Sequence, residues 1–204
     1  MDTSANSDPF SGEAADPLPC FRTWLAEARL TEPNDPEAMA LATATPTGLP
    51  SVRMVLLKEI AADGLFVFYT NAESRKGTEI AANPHAALCF HWKSLRRQVR
   101  VEGPVSEILP ERADAYFHSR PYGSQIGALA SDQSRPLPDR ATLEARAAEA
   151  ALRYPAEVLR PPHWRGFAID AETIEFWRSR PDRLHDRMLY TRMAGEWKRT
   201  LLYP

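Results

Sequence analysis

The chain has 204 residues, of which 44% are hydrophobic and 25% charged, and its formal net charge is −2. This composition is typical of a soluble globular protein, and the lack of a basic excess argues against a nucleic-acid partner. No apolar run reaches the ~20 residues of a transmembrane helix. Two cysteines are too few for a disulfide framework or a metal motif. We therefore predict a cytoplasmic protein with no membrane association and no metal site.

The N-terminal segment, residues 1–15, is polar and acidic and lacks the apolar region of a secretory signal. We predict that it forms a disordered tail. Residues 16–204 are predicted to form one domain, since the length suits one and no low-complexity linker divides it. Asp16 and Pro17 mark a helix start. The apolar face of this helix carries Phe21, Trp24, Leu25 and Ala28.

The next part of the chain is rich in predicted strands. Alternating, β-branched and aromatic residues predict strands at 38–45, 52–58, 65–70, 86–92 and 98–108. A helix capped by Asn71 and ending near Ala82 interrupts them. The apolar run from Val55 to Leu57 predicts burial on both faces of its strand. Strands at this regular spacing, with few crossover helices, favour an antiparallel barrel.

The second half of the chain mixes helices and strands. Helices are predicted at 110–119, 123–130 and 139–152. Strands are predicted at 166–170, 173–178, 188–192 and 197–202. The fold class is therefore mainly β with flanking helices.

Two segments carry cations where an anion could be held. Arg53 and Lys58 flank a rigid strand, and Ser74, Arg75 and Lys76 lie at a predicted helix start. The first turn of a helix offers free N–H groups and a partial positive charge, which suits a phosphate. The alternative is a basic first turn that is simply solvated.

A second polar group follows on the predicted helices. Tyr116 and Arg120 are four residues apart and share a helix face, and Ser124 follows after a turn. An arginine, a phenol and a hydroxyl together indicate a second phosphate site. Gln98 could read the edge of a planar heterocycle, although an exposed strand glutamine is the more common case.

The densest cluster lies near the C-terminus. If the segment is extended, Arg183, His185 and Arg187 point the same way. Three potential cations side by side repel one another unless an anion or an electron-rich ring lies among them. The alternative is a surface strand in which Asp186 forms salt bridges.

These motifs, in this order, resemble the pyridoxine/pyridoxamine 5′-phosphate oxidase family. The resemblance runs from about Asp16 to the C-terminus. It rests on residues 53–58, 68–71, 74–76, 97–99, 116–121, 123–127, 133–134, 161–164, 174–177 and 183–187. It implies an FMN-binding split β-barrel of antiparallel Greek-key type, which forms a homodimer with FMN at the subunit interface.

The resemblance also implies the site residues. FMN would be held by Arg53, Met54, Val55, Leu56, Leu57, Lys58, Tyr69, Thr70, Arg75, Lys76, Gln98, Gln133, Ser134, Trp177 and Arg187. The substrate would be held by Lys58, Tyr116, Arg120, Ser124, Arg183, Leu184 and His185. Arg183 and His185 would be the catalytic pair. Arg183, which stays protonated, suits an electrostatic clamp, whereas His185 can orient substrate or handle a proton.

The implied activity is oxidation of pyridoxamine or pyridoxine 5′-phosphate to pyridoxal 5′-phosphate. A hydride would pass from C4′ of the substrate to the flavin, with O2 as acceptor and H2O2 as product. The alternatives are a related flavin oxidase of the phenazine pathway, a non-catalytic flavin- or haem-binding barrel, and a cofactor-free structural barrel. The chain departs from the family pattern in its acidic N-terminal tail and in Leu201, which stands where arginine is usual.

Overall fold

The computed structural model describes residues 8–12 and 14–204, and strands and helices cover most of this part. The strands are β1 Ala38–Ala44, β2 Pro50–Leu56, β3 Glu59–Ile60, β4 Phe66–Asn71, β5 His85–Trp92, β6 Arg97–Glu107, β7 Trp164–Ile169, β8 Thr173–Arg178, β9 Asp186–Met193 and β10 Glu196–Leu201. The α-helices are α1 Pro17–Thr31, α2 Arg75–Ala82, α3 Pro110–Ser119, α4 Tyr122–Ala130 and α5 Arg140–Arg153.

The predicted strands and helices are confirmed, with strand ends shifted by one or two residues, and only the short β3 was not predicted. Asp16 caps α1 as predicted, and its side chain accepts a hydrogen bond from the backbone of Leu18. The predicted cap of α2 is wrong. Ser74 caps this helix, because the Asn71 side chain instead accepts a hydrogen bond from the backbone N–H of Glu73 at 2.7 Å.

The sheet is antiparallel at every described pairing, and its main path runs β10-β9-β8-β6-β5-β1-β2. β6 is the strand at which the sheet splits. It pairs with β5 along one edge, while its other edge pairs first with β8 and then, from Val105 onward, with β7. β7 continues to β4, so the two branches curl around a shared core.

Gly103 lies at the point where the two branches diverge. The link between β7 and β8 crosses it so closely that a Cβ at this position would lie 2.0 Å from the backbone oxygen of Asp170. It would also lie 3.1 Å from the backbone nitrogen of Glu172. Only glycine fits such a close backbone approach.

The interior of the barrel is an apolar core closed by α1. Phe21 of this helix contacts the rings of Phe66 and Phe90 at centroid distances of 5.1 and 5.0 Å. Trp24 packs edge-on against Phe176 at 5.2 Å. Such aromatic pairs stabilise the folded protein by more than the burial of their apolar surface alone. A second, smaller cluster joins α3, α4 and α5 to the start of β7.

The prediction that β2 is buried on both faces is wrong for the single chain. β2 pairs with β1 alone, so it is an edge strand, and its burial alternates along its length. Val52, Met54 and Leu56 on its outer side are 68%, 63% and 39% exposed. An apolar stripe on an open strand edge is a surface that needs a partner.

Residues 8–12, 14 and 15 of the predicted tail are described and lie against the barrel, whereas residues 1–7 and 13 lie outside the described residues. Arg199 on β10 donates hydrogen bonds to the backbone oxygens of Pro9, Ser11 and Gly12. The buried Tyr190 hydroxyl donates to the oxygen of Pro9 at 3.2 Å. These contacts dock the segment on the outer strands of the barrel.

Replacing Gly103 by alanine should destabilise the protein by about 2 kcal/mol or more, because the clashing atoms are backbone and cannot move aside as a side chain would. Urea unfolding at fixed protein concentration measures the change. Gly123→Ala is the matched control, since a Cβ there meets nothing within 4 Å. Its free energy of unfolding should stay within about 1 kcal/mol of the parent value, and any change should be an increase. Equal midpoints for the two variants would contradict the close approach.

Candidate functional site

A cavity of about 620 Å³ lies between β2, β4, the start of α2 and the α3–α4 corner. It brings together thirteen of the residues predicted for the site. These are Arg53, Met54, Val55, Leu56, Lys58, Tyr69, Thr70, Lys76, Tyr116, Arg120, Ser124, Gln133 and Ser134. Residues as far apart in the chain as Arg53 and Ser134 therefore converge on one space, which is what a ligand site requires.

Arg53 enters this space from β2 on a fixed geometry. Its guanidinium donates to the hydroxyls of Thr43 and Ser51. It also lies 3.4 Å from the carboxylate of Glu79, which is 6% exposed. Arg75 binds the other oxygen of the same carboxylate at 2.9 Å. Glu79, which was not predicted as a site residue, is the shared counter-ion of both arginines.

The Glu79 carboxylate stays ionised throughout the physiological range. Burial alone would raise its pKa, but hydrogen bonds from Ser51, Thr43 and Arg75, together with the charge of Arg75, outweigh burial and lower the pKa to about 2. A buried carboxylate that accepts several hydrogen bonds is a stable anchor. Glu79 therefore holds Arg53 in place at any working pH.

Lys76 is the buried cation of the cavity. Its Nζ donates to Gln133 Oε1 at 2.9 Å, to Ser74 Oγ at 3.1 Å and to Thr70 Oγ1 at 3.2 Å. All three partners are neutral. Burial, with a smaller contribution from the charge of Arg53, lowers the pKa of the Lys76 ammonium to about 8. A desolvated ammonium beside a guanidinium is a receptor for an anion.

Two predicted cofactor residues that neighbour the cavity in sequence, Leu57 and Arg75, do not line it. The Leu57 side chain is 3% exposed and lies in the core. The Arg75 side chain is held outside by Glu79 and is 56% exposed. Arg75 adds positive charge to the helix start without facing the cavity.

The opposite wall of the cavity is a stack of aromatic rings. Tyr69 stacks on Tyr116 at 4.2 Å and on Trp164 at 5.2 Å between ring centroids. The Arg120 guanidinium lies over Trp164 at 5.0 Å. Its buried Nη1 has no hydrogen-bond partner among the described residues, and burial lowers its pKa from the ordinary value. Trp164 was not predicted as a site residue, and it fixes the plane of this arginine.

A second group of predicted residues lies elsewhere, on the outer face of the main sheet. Gln98 of β6 pairs with Trp177 of β8, and Trp177 pairs with Arg187 of β9, so the three form one row across the strands. The Arg187 guanidinium is bound through Nε and Nη2 to Glu175 at 2.8 and 3.1 Å. Burial would raise the pKa of Glu175, but hydrogen bonds from Arg187 and Arg100 lower it.

The extended geometry predicted for 183–187 is wrong. Pro181–Arg183 forms a short 3₁₀ turn, and β9 begins only at Asp186. Arg183 has φ +62°, in the left-handed region, and Leu184 is 69% exposed. The His185 ring packs against Trp177 at 4.6 Å. The turn forms because Pro181 fixes the backbone and its carbonyl accepts from the N–H of Leu184.

The residues of the second group do not line the cavity, and they lie on other strands of the sheet. From Arg53 on β2 to Trp177 on β8 the path crosses β1, β5 and β6. Four steps of ~4.8 Å make this about 19 Å along the sheet. We call the residues that line the cavity the cavity half-site, and we call the group of Gln98, Trp177, Arg183, His185 and Arg187 the outer-row half-site.

Within the described residues, His, Cys, Asp and Glu do not gather in any group of three or more that could hold a metal ion. In the same part of the chain, no helix combines the length and apolar character that crossing a membrane requires.

Family comparisons cover both halves of the chain. Residues 25–154 match the family model described as Pyridoxamine 5′-phosphate oxidase. Residues 164–204 match a model described as the Pyridoxine 5′-phosphate oxidase C-terminal dimerisation region.

Two bacterial proteins named Pyridoxine/pyridoxamine 5′-phosphate oxidase are similar over almost their full lengths. The protein of Rhodospirillum rubrum is 60% identical over 197 residues, which cover 94% of this chain and 98% of that protein. The protein of Erythrobacter litoralis is 61% identical over 194 residues, which cover 93% of this chain and 91% of that protein.

Two solved structures share the fold. PhzG from Burkholderia lata, in complex with tetrahydrophenazine-1-carboxylic acid, has a TM-score of 0.89 at 31% identity and covers 100% of this chain and 98% of its own. A pyridoxamine 5′-phosphate oxidase-related, FMN-binding protein of Nostoc punctiforme has a TM-score of 0.75 at 18% identity, with 93% and 98% covered. The predicted split-barrel fold is confirmed. With both halves of the chain matched and relatives 60% identical over nearly all of it, the chain belongs to the pyridoxamine 5′-phosphate oxidase family.

Proposed function

We propose that the chain oxidises pyridoxamine 5′-phosphate and pyridoxine 5′-phosphate to pyridoxal 5′-phosphate, with FMN as cofactor. The observation that carries this proposal is that two separate sets of cations line one cavity, of which Lys76 is buried and Arg53 and Arg120 are half-buried. Arg53 and Lys76 form one set at the start of α2, and Arg120 forms the other on the aromatic wall. Two phosphate esters, one on the cofactor and one on the substrate, account for both sets.

The fit to FMN rests on Lys76. Its ammonium is buried among neutral partners and beside a second cation. A bound anion would therefore offset the free-energy cost of burying this charge. A phosphate at the start of α2 also receives the free N–H groups of the first helical turn. Family membership supports FMN as that ligand and an oxidoreductase activity.

The fit to the substrate rests on Arg120. A guanidinium with an unpartnered buried Nη1 is prepared to bind an oxyanion. Tyr116 and Ser124 line the same cavity and can donate hydroxyl groups. Nζ of Lys58 lies 5.8 Å from the centre of the Tyr116 ring and adds a further positive charge to the cavity lining.

Bound FMN would supply the acceptor for the hydride from C4′ of the substrate, and O2 would take up the electrons to give H2O2. The residues of the chain supply placement and charge. The aromatic wall of Tyr69, Tyr116 and Trp164 excludes water from one side of the cavity. Arg183 remains protonated and acts as an electrostatic clamp, because a guanidinium cannot serve as a base.

The outer-row half-site belongs to the same reaction only if a second copy of the chain completes the cavity. We infer a two-fold dimer in which the outer row of each chain faces the cavity of its partner. The apolar stripe on β2 and the match of residues 164–204 to a dimerisation region support this arrangement. A closed two-fold assembly then contains two identical composite sites.

A related oxidase that acts on a phenazine precursor is the second candidate, because PhzG shares 31% identity and a TM-score of 0.89 with the chain. Its ligand, tetrahydrophenazine-1-carboxylic acid, has no phosphate. The buried, unpartnered Arg120 favours a phosphorylated substrate. Comparing the turnover of the two substrate classes by the same preparation separates these candidates.

Replacing Lys76 by methionine should weaken FMN binding by about 10–150-fold, which corresponds to the ~1.5–3 kcal/mol of a charge-assisted hydrogen bond. Quenching of flavin fluorescence on titration with cofactor-free protein gives the dissociation constant. Lys93→Met removes the same charge from an exposed turn and is the control. An affinity equal to that of the control would remove Lys76 from the phosphate site.

The affinity for FMN should fall as pH rises through about 8. Phosphate binding requires the ammonium form of Lys76, whose pKa in the free protein is lowered to about 8. Below that pH most of the Lys76 side chains are already in the ammonium form, whereas above it FMN binding requires the lysine to take up a proton. The dissociation constant should therefore rise by up to about tenfold per pH unit between pH ~8 and ~9.5. The Lys76→Met protein should show a flat profile, and a flat profile in the parent would refute the assignment.

Mixing two inactive variants tests both the reaction and the dimer. Arg120→Ala damages the cavity half-site, and Arg183→Ala damages the outer-row half-site. If each site uses both chains, a mixed dimer has one site with both lesions and one intact site. Random mixing of equal amounts should then restore about one quarter of the parent turnover of pyridoxamine 5′-phosphate, followed as H2O2 release. A mixture as inactive as its components would show that each site is built from one chain.

A further inference from the structure

The loop between β8 and β9 holds an unusual backbone. Asp182 and Arg183 are consecutive non-glycine residues with φ +55° and +62°. Such a backbone is strained for a residue with a side chain, and the conformation persists only where its surroundings enforce it. The loop carries Arg183 and His185, so the contacts that enforce its shape also set the positions of both groups.

Asp186 is the residue on which these contacts converge. Its Oδ2 accepts hydrogen bonds from Arg178 Nε and Nη2 at 3.0 and 2.9 Å, and from Arg180 Nε at 2.7 Å. Arg178 ends β8, Asp186 begins β9, and Arg180 lies within the loop. Burial would raise the pKa of Asp186, but the hydrogen bonds from Arg180 and Arg178 lower it, so the carboxylate stays charged. One oxygen therefore ties both ends of the loop together.

The same clamp determines the tautomer of His185. The backbone N–H of Arg180 lies 3.2 Å from His185 Nδ1 and can only donate. Nδ1 must therefore carry a lone pair, and neutral His185 carries its proton on Nε2. Trp177 packs on the ring and limits its rotation.

Arg178 is itself braced from its other side by the docked N-terminal segment. Its guanidinium lies 4.4 Å from the centre of the Phe10 ring and 3.8 Å from the carboxylate of Asp8. The arginine that contacts Asp186 is thus held by partners on two sides.

We propose that Asp186 is a positioning residue for the oxidation. Through Arg180 it fixes the loop so that neutral His185 presents an N–H donor, not a proton-accepting lone pair, on Nε2. His185 then acts by donating a hydrogen bond to a substrate oxygen or nitrogen, and it does not remove a proton from the substrate. The kinetic part of this inference rests on the proposed function, whereas the tautomer is a property of the free protein.

The test compares Asp186→Asn with Asp182→Asn. Both variants remove one negative charge from the same hairpin, but among the described residues Asp182 forms no salt bridge, and asparagine tolerates its left-handed backbone. Nitrogen-15 NMR of the imidazole rings, assigned with a His185→Gln sample, reports the tautomer without FMN. We expect Nε2–H in the parent and in Asp182→Asn, and a mixture of tautomers in Asp186→Asn.

The kinetic readout separates positioning from cofactor binding. Asp186→Asn should keep its FMN dissociation constant within about twofold and lose about 10–100-fold in kcat for pyridoxamine 5′-phosphate, the scale of a small misplacement. Asp182→Asn should stay within about twofold of the parent. Parent His185 with its proton on Nδ1, or an Asp186→Asn enzyme as fast as Asp182→Asn, would overturn the proposal.

A second variant covers the case in which Asp186→Asn folds poorly. Arg180→Gln keeps the Arg178–Asp186 pair that joins β8 to β9 and removes only the loop contact. It should show the same loss in kcat and the same mixture of tautomers, and unchanged values would overturn the proposal. If the parent bound no FMN or left pyridoxamine 5′-phosphate unchanged, the proposed function would fail, while the NMR result would still decide what sets the tautomer.

Discussion

The placement of the predicted site residues on two separate surfaces of one chain is the constraint from which the composite site follows. Arg53 on β2 lines the cavity, whereas Trp177 on β8, with three strands between them along the sheet, does not line it. The cavity half-site lies at one end of this span, and the outer-row half-site lies on the sheet face at the other. A second copy laid against the outer face removes the separation without any change in the fold. The exposed stripe of Val52, Met54 and Leu56 is then an interface surface and not a defect of the core.

The pairing of cations with carboxylates is the second constraint on the site. Glu79 neutralises part of the charge of Arg53 and Arg75, whereas Lys76 and Arg120 have no carboxylate partner among the described residues. Removing the Lys76 ammonium and Nη1 of Arg120 from water costs free energy, which the proposed anionic ligands would offset. The same logic accounts for the outer row, where Glu175 and Asp186 hold the surrounding arginines in position. In both half-sites the carboxylates hold the arginine side chains in position, and the cations are the groups that would contact the proposed ligands.

Local sequence signals predict the fold well and the site only in part. Asp16 and Pro17 define the start of α1, and alternation defines the strands, because both signals act within a few residues. The apolar run on β2 misleads because a strand covered by a partner and a strand inside a core have the same composition. The left-handed pair Asp182–Arg183 could not be predicted, since nothing in an Asp-Arg sequence requires that backbone. Glu79 and Trp164 were missed because their roles arise from contacts between distant segments. The family resemblance identified most of the residues that line the cavity. It did not show which of the predicted site residues lie in the cavity and which lie in the outer row.

Native mass spectrometry of the protein titrated with FMN distinguishes a composite site from a site built by one chain. We expect a dimer that carries one FMN per chain, and no FMN on any monomer released at low protein concentration, because each chain supplies only part of the proposed composite site. A monomer that retains FMN as tightly as the dimer would contradict the composite site and the role assigned to the outer sheet face.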